Sequence, residues 1–142
     1  MNPCASPLLT DLYELSMVQA YCLHAKTRTA VFEFFVRTMP ASRNFLLAAG
    51  LEQALDFLER LHFSPAELEW IESSGHFRPG FSDYLARLRF SGDVHAMSEG
   101  TPFFADEPIL RVTAPLPAAQ LVETRLINIL QFQTMVASKA AR

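Results

Sequence analysis

Apolar positions recur along this chain at two different periods, and the switches between them mark its elements. Leu12, Leu15, Val18 and Cys22 share one face at helical spacing, and Asp11 followed by Glu14 has the spacing of a capping box. A helix is therefore predicted from about Leu12 to His24. Thr29 to Arg37 reads Thr-Ala-Val-Phe-Glu-Phe-Phe-Val-Arg, dense in aromatic and β-branched residues, and predicts a strand. Its alternation puts Ala30, Phe32, Phe34 and Val36 toward a core, and Val31, Glu33, Phe35 and Arg37 on a second face open to a site. Pro40 to Asn44 is a loop. Beyond Gly50 the helical period returns at Leu51, Ala54, Leu55, Leu58 and Leu61.

Ser64-Pro65-Ala66-Glu67 is a complete helix start, with Ser at the N-cap, Pro at the first helical position and Glu at the third. Trp70 and Ile71 lie in that short helix and Gly75 stops it. Another helix, from about Phe81 to Leu88, carries Tyr84, Leu85 and Leu88 inward, and Ser91-Gly92 ends it. From Asp93 the period becomes that of strands. Val94 to Met97, Phe103-Phe104 and Ile109 to Thr113, separated by Gly100-Thr101-Pro102 and Asp106-Glu107-Pro108, read as a small antiparallel meander. Pro115 and Pro117 close it and launch a last helix, Ala118 to Val136, apolar on more than one face through Leu121, Ile127, Leu130, Phe132, Met135 and Val136.

These elements make one α+β domain spanning residues 1–142, with an irregular lead-in over 1–8 and a final helix over 118–142. No internal repeat, low-complexity segment or long linker divides it. The last residues, Ser138-Lys139-Ala140-Ala141-Arg142, continue the helical pattern without the Gly, Asn or Pro that usually closes a helix. The reading is that of the front part of something larger.

Composition narrows the class. The chain has 142 residues, 50% hydrophobic and 19% charged, below the usual ~25% charged, so some apolar surface is expected to face another domain or subunit. The net charge is −3 and no Lys/Arg stripe exists, which argues against nucleic acid. Cys4 and Cys22 lack a metal-ligand pattern and a preceding secretory signal, and read as thiols in a reducing compartment. No apolar run approaches the ~18 residues of a membrane span. A cytoplasmic location is expected.

Candidate chemistry is sparse. No phosphate-binding glycine loop is present, and the chain has only five glycines. His24, His62, His76 and His95 lack metal-ligand spacing. Glu99 and Glu107 are imaginable as a carboxylate pair, but an exposed turn explains them more simply. Thr10-Asp11-Leu12-Tyr13 reads in two ways: as side chains satisfying free N–H groups at a helix start, or as a Tyr ring presented for stacking on an aromatic ligand. Arg37 is either a partner of Glu33, four residues away on the same strand face, or a clamp for a planar anion.

Three segments then stand out together: Leu8 to Met17 (Leu-Leu-Thr-Asp-Leu-Tyr-Glu-Leu-Ser-Met), Val31 to Arg37, and Asn44 to Leu55. With Phe90 to Val94, Glu99 to Pro102, Glu107 to Val112, Gln120 to Thr124, and Asn128 on to Lys139-Ala140-Ala141-Arg142, the chain from Leu8 onward resembles the start of nicotinate phosphoribosyltransferase. The resemblance implies the fold of the type II phosphoribosyltransferases: a mixed N-terminal domain, helices packed on a small and largely antiparallel sheet, whose long last helix leads to an α/β barrel absent from this sequence. It implies transfer of phosphoribosyl from phosphoribosyl pyrophosphate to nicotinate, coupled to ATP hydrolysis through a phosphorylated histidine, in NAD salvage. It also implies a homodimer whose sites draw on both subunits.

Under that resemblance Tyr13 stacks on nicotinate across the dimer interface, and Arg37 lies near the phosphoribosyl phosphate. The phosphorylated histidine and the phosphate loop belong to barrel segments, so none of the four histidines inherits that role, no catalytic residue lies in this chain, and Mg²⁺ and ATP are expected only for the complete enzyme. The chain alone is expected to be inactive, as the N-terminal portion of an enzyme or in association with a barrel-containing chain. The alternative is a stand-alone binding or oligomerisation domain derived from that enzyme. A biotinyl or lipoyl carrier is a poor fit, because the only lysines are Lys26 and Lys139 and neither sits at a hairpin tip.

Overall fold

A computed structural model describes residues 6–24 and 27–141. Cys4, Lys26 and the first part of the predicted lead-in lie outside the described residues. The elements run α1 (Leu12–His24), β1 (Thr29–Phe34), β2 (Leu46–Leu47), α2 (Leu51–Glu59), α3 (Pro65–Ser73), α4 (Phe81–Arg87), β3 (Asp93–Ala96), β4 (Pro102–Phe103), β5 (Leu110–Pro115) and α5 (Leu116–Ala140). This is the α+β mix that the periodicity predicts.

The sheet order is where the sequence expectation fails. β5 is central in a three-stranded antiparallel sheet, flanked by β1 and β3, with Phe32 opposite Val112 on one side and Val94 opposite Val112 on the other. β4 is not part of it. Instead of a meander of successive strands, Phe103 pairs with Leu46 of β2. The cause is local: Gly100, at φ 79°, gives its N–H to Ala48 O at 2.8 Å, and Thr101 O accepts from Ala48 N at 2.9 Å. Those bonds turn the chain toward β2, where Phe103, fully buried, joins Leu46, Ala48 and Ile109 in a small second core.

The main core lies between the sheet and the helices. Leu15 and Val18 of α1, Ala54 and Leu58 of α2, Ile71 of α3, Leu85 of α4 and Val112 of β5 are buried against Leu121, Val122, Leu126 and Leu130 of α5. α5 is the longest element and packs on α1, α2, β1, β2 and β5. Ile127, Phe132, Met135 and Val136 are nonetheless exposed, so the helix is indeed apolar on more than one face. β1 ends at Phe34, three residues before the predicted limit. The alternation persists beyond it, since Ala30, Phe32, Phe34 and Val36 are half-buried while Val31, Glu33, Phe35 and Arg37 are exposed.

Ser64 caps α3 as predicted: its Oγ accepts the Glu67 N–H, while Glu67 takes the Ser64 N–H at 2.7 Å. Asp11 and Glu14 do not form the second capping box that their spacing predicts. Leu12, placed by periodicity on the inward face of α1, is exposed, and Glu14 occupies the buried position beside Leu15 and Val18.

Candidate functional site

At the start of α1 two neighbouring side chains take opposite directions. Tyr13 points outward, 51% exposed, and Glu14 is fully buried. A buried carboxylate costs several kcal/mol unless donors surround it. Glu14 has three: Thr10 Oγ1 donates to Oε2, and Thr124 of α5 donates to Oε1 through both its hydroxyl, at 2.6 Å, and its N–H, at 3.2 Å. Burial still dominates and raises the Glu14 carboxyl above its ordinary range, with the Thr10 and Thr124 bonds opposing and Glu123 adding to the rise. These contacts supersede the simple helix-start reading, because the Thr10 side chain serves Glu14, and the Asp11 carboxylate lies 3.4 Å from the Thr124 hydroxyl.

The same groups surround the phenol of Tyr13. Desolvation, then the Glu14, Glu123 and Asp11 carboxylates, raise its pKa, while the Thr124 hydroxyl pulls it down. The Tyr13 side chain thus stands half exposed at an acidic helix start.

Glu123 links this corner to a groove of about 610 Å³ between β1 and α5. Its walls are mostly apolar, including Phe32, Phe34, Leu126 and Met135, and its polar groups include Glu123, Gln131, Thr134 and Arg37. Such a volume and lining suit a small-molecule or peptide-sized occupant. Arg37 is exposed at this groove and, among the described residues, no carboxylate pairs with it. The partner proposed from sequence is taken elsewhere: Glu33 pairs across the sheet with Arg111, at 2.7 Å to Nε and 2.5 Å to Nη2. The register opposes Glu33 to Arg111, which leaves Arg37 beyond the strand end.

The remaining candidates separate. His24, His62, His76 and His95 are all exposed and sit on different parts of the fold. Glu99 and Glu107 serve backbone rather than each other. Glu99 Oε1 accepts the N–H groups of Gly50 and Leu51, at 2.9 and 2.6 Å, and Glu107 Oε2 accepts that of Phe104 at 2.8 Å. Cys22 is half-buried with its thiol beside Tyr84, whose phenol is pushed up by burial and by that thiol. Among the described residues no group of three or more His, Cys, Asp or Glu is placed to hold a metal ion.

Sequence reasoning missed the pairing of Glu14 with Thr124. The available signal was Glu14 standing four residues before buried Val18 and four after Thr10, a polar residue on an inward helical face.

Residues 8–131 match the family described as the nicotinate phosphoribosyltransferase N-terminal domain. The chain belongs to this family. A nicotinate phosphoribosyltransferase of Mycobacterium tuberculosis is 45% identical over 135 residues, covering 95% of this chain and 29% of the relative. One from Bacillus subtilis is 41% identical, over 95% of this chain and 28% of the relative. The crystal structure of the human enzyme superposes with a TM-score of 0.83 and 34% identity, covering 93% of this chain and 27% of that one. The chain thus spans somewhat over a quarter of the length of these family members, and the likeness establishes the mixed α+β architecture of their N-terminal domain. Among the described residues no helix is long and apolar enough to cross a membrane.

Proposed function

We propose that this chain is the N-terminal part of a nicotinate phosphoribosyltransferase of NAD salvage, a cytoplasmic enzyme that moves the phosphoribosyl group of phosphoribosyl pyrophosphate onto nicotinate. The observation that carries the reading is the match of 95% of the chain, at 45% identity, to the first part of such an enzyme. In this reading Tyr13 offers its exposed ring to the pyridine of nicotinate in a site completed by a second subunit. Arg37, lining the groove with no carboxylate partner among the described residues, faces the phosphoribosyl phosphate. Aromatic stacking contributes about 0.5–1.5 kcal/mol beyond burial.

ATP and Mg²⁺ are assigned to the barrel portion of the complete enzyme. Beside Tyr13, both Glu14 oxygens already take Thr10 and Thr124 donors inside the fold, and among the described residues no cluster of three or more His, Cys, Asp or Glu is placed for a cation. Phosphoryl and phosphoribosyl transfer require positioned charge around the moving phosphates. By itself, then, the chain should release no pyrophosphate above a blank from nicotinate, phosphoribosyl pyrophosphate, ATP and Mg²⁺. Joined to the remainder of the mycobacterial relative, it should. Turnover by the 142-residue chain alone would overturn the assignment.

A further inference from the structure

β1 stands at the edge of its sheet, and its even-numbered residues spend their backbone groups on one side. Arg28 O takes the Leu116 N–H at 2.7 Å, Phe34 O takes that of Ile109 at 2.9 Å, and Val36 O takes that of Asp106 at 2.9 Å. Alternate residues of an extended strand aim these groups in opposite directions. The N–H and C=O groups of Glu33 and Phe35 therefore face away from β5, and among the described residues they have no backbone partner there. An open edge of this kind is a template for a further strand.

The side chains along that edge specify which strand it suits. Glu33, Phe35 and Arg37 are exposed on one face, in the order acidic, aromatic, basic. Laid antiparallel on itself about Phe35, the order is self-complementary: each Glu33 meets an Arg37 and each Phe35 meets the other. Arg111 occupies Glu33 Oε1, at 2.7 Å from Nε and 2.5 Å from Nη2, while Oε2 takes no donor among the described residues. Arg37, for its part, has no carboxylate among them. Each group supplies what the other lacks.

We propose that this chain pairs with a second copy of itself through the outer edge of β1, in antiparallel register centred on Phe35. The two sheets then join into one, and the two grooves between β1 and α5 come side by side, with the exposed Ile127 and Met135 of each copy along the junction. Phe132 and Val136 follow the groove residues Gln131 and Met135 by one position and extend that apolar surface. A guanidinium carries five N–H donors, so Arg37 holds Glu33 of the second copy with some and keeps others for the phosphate assigned to it above. The pairing draws only on groups of this chain and stands independently of the nicotinate reading.

An engineered crosslink and deuterium exchange test it. Residues opposite each other in a hydrogen-bonded antiparallel pair have Cα atoms about 5.5 Å apart, inside the range of about 4.4–6.8 Å that a disulfide spans. With Cys4 and Cys22 replaced by Ser, Phe35→Cys should therefore give a covalent dimer under oxidised glutathione, whereas Val31→Cys, opposite Met39 in this register, should not. In the unsubstituted chain the Glu33 and Phe35 amides should exchange slowly at concentrations where light scattering shows dimer, and fast on dilution to monomer. Arg37→Glu sets like charges face to face and should raise the dimer Kd about tenfold or more, with Arg37→Lys raising it less. A dimer whose Glu33 and Phe35 amides stay unprotected would overturn the proposal, as would a folded Phe35→Cys chain that dimerises without crosslinking. It would fall equally if the chain stayed monomeric at every concentration, or if those amides became protected only on adding the remainder of the mycobacterial relative as a separate chain. Should Phe35→Cys fail to fold, amide exchange in the unsubstituted chain decides by itself.

Discussion

Glu14 and Glu67 both stand at the third residue after a potential helix cap, and the fold uses them in opposite ways. Glu67 is only partly desolvated, and although burial alone would raise its carboxyl, the Ser6 hydroxyl and the Ser64 hydroxyl and N–H outweigh that and hold it below the ordinary range. Glu14 is fully buried, and there burial outweighs its hydrogen bonds and holds its carboxyl above that range. The two therefore oppose each other in the pH dependence of stability. A lowered carboxyl stabilises above the unfolded-state pKa and loses that contribution as pH falls, so Glu67→Gln should cost most near neutrality and little in acid. A raised carboxyl favours the folded state only while protonated, so its contribution fades as pH rises from about 4.5 through its folded value. Glu14→Gln should therefore flatten the fall in Tm between mildly acidic and neutral pH, leaving Tm at pH 7 equal or higher. A Tm at pH 7 lowered by several degrees would show instead that the ionised Glu14 is itself needed by the fold. Sequence disclosed the spacing of both glutamates. It did not disclose which would turn inward, because that depends on Thr124, 110 residues away.

At the scale of elements, the helices were legible and the strand partners were not. α1 and the capping box of α3 follow from local periodicity and cap chemistry, whose causes lie within a few residues. β4 is two residues long and carries no period of its own, so its place beside β2 is decided by Gly100, Ala48 and the buried Phe103. α2 illustrates the same dependence. Its N-cap is Gly50, at φ 100°, which has no side chain to offer, and the carboxylate of Glu99, from the turn before β4, fills that role. Glu99→Ala should then cost about 1 kcal/mol, the usual worth of an N-cap, with the loss seen as earlier denaturant unfolding at unchanged m. A stability unchanged by that substitution would mean that water caps α2 as well as Glu99 does. The Glu33 partner expected for Arg37 fell at this level too, since register pairs Glu33 with Arg111, something no i, i+2 or i, i+4 rule contains.

For the molecule as a whole, the exposed apolar side chains are unevenly placed. Ile127, Phe132, Met135 and Val136 are all exposed on α5, Ile127 and Met135 beside the groove against β1, and Phe132 is 65% exposed. Large apolar side chains left exposed on one helix in this way are suited to contact with another chain or domain. The 142-residue chain should accordingly form dimers or larger species at micromolar concentration, measured by light scattering, and Phe132→Glu with Val136→Glu should return it toward monomer. A dilution-independent monomer before substitution would remove this expectation. The helix that carries that surface is also clamped at its far end: Ser138 Oγ accepts the Leu47 N–H at 2.8 Å, the Thr134 hydroxyl reaches Ala49 O at 3.4 Å, and the Gly50 backbone lies so close to Gln133 and Ile129 that a Cβ there would meet atoms at 3.1 to 3.3 Å. Amides of the β2–β4 ribbon and of the last two turns of α5 should therefore exchange with solvent deuterium as one cooperative unit, since neither can open while the other stays shut. Any force or partner that tugs on the end of α5 would be felt first at Leu47 and, one residue before it, at Leu46 in the wall of the groove that holds Arg37.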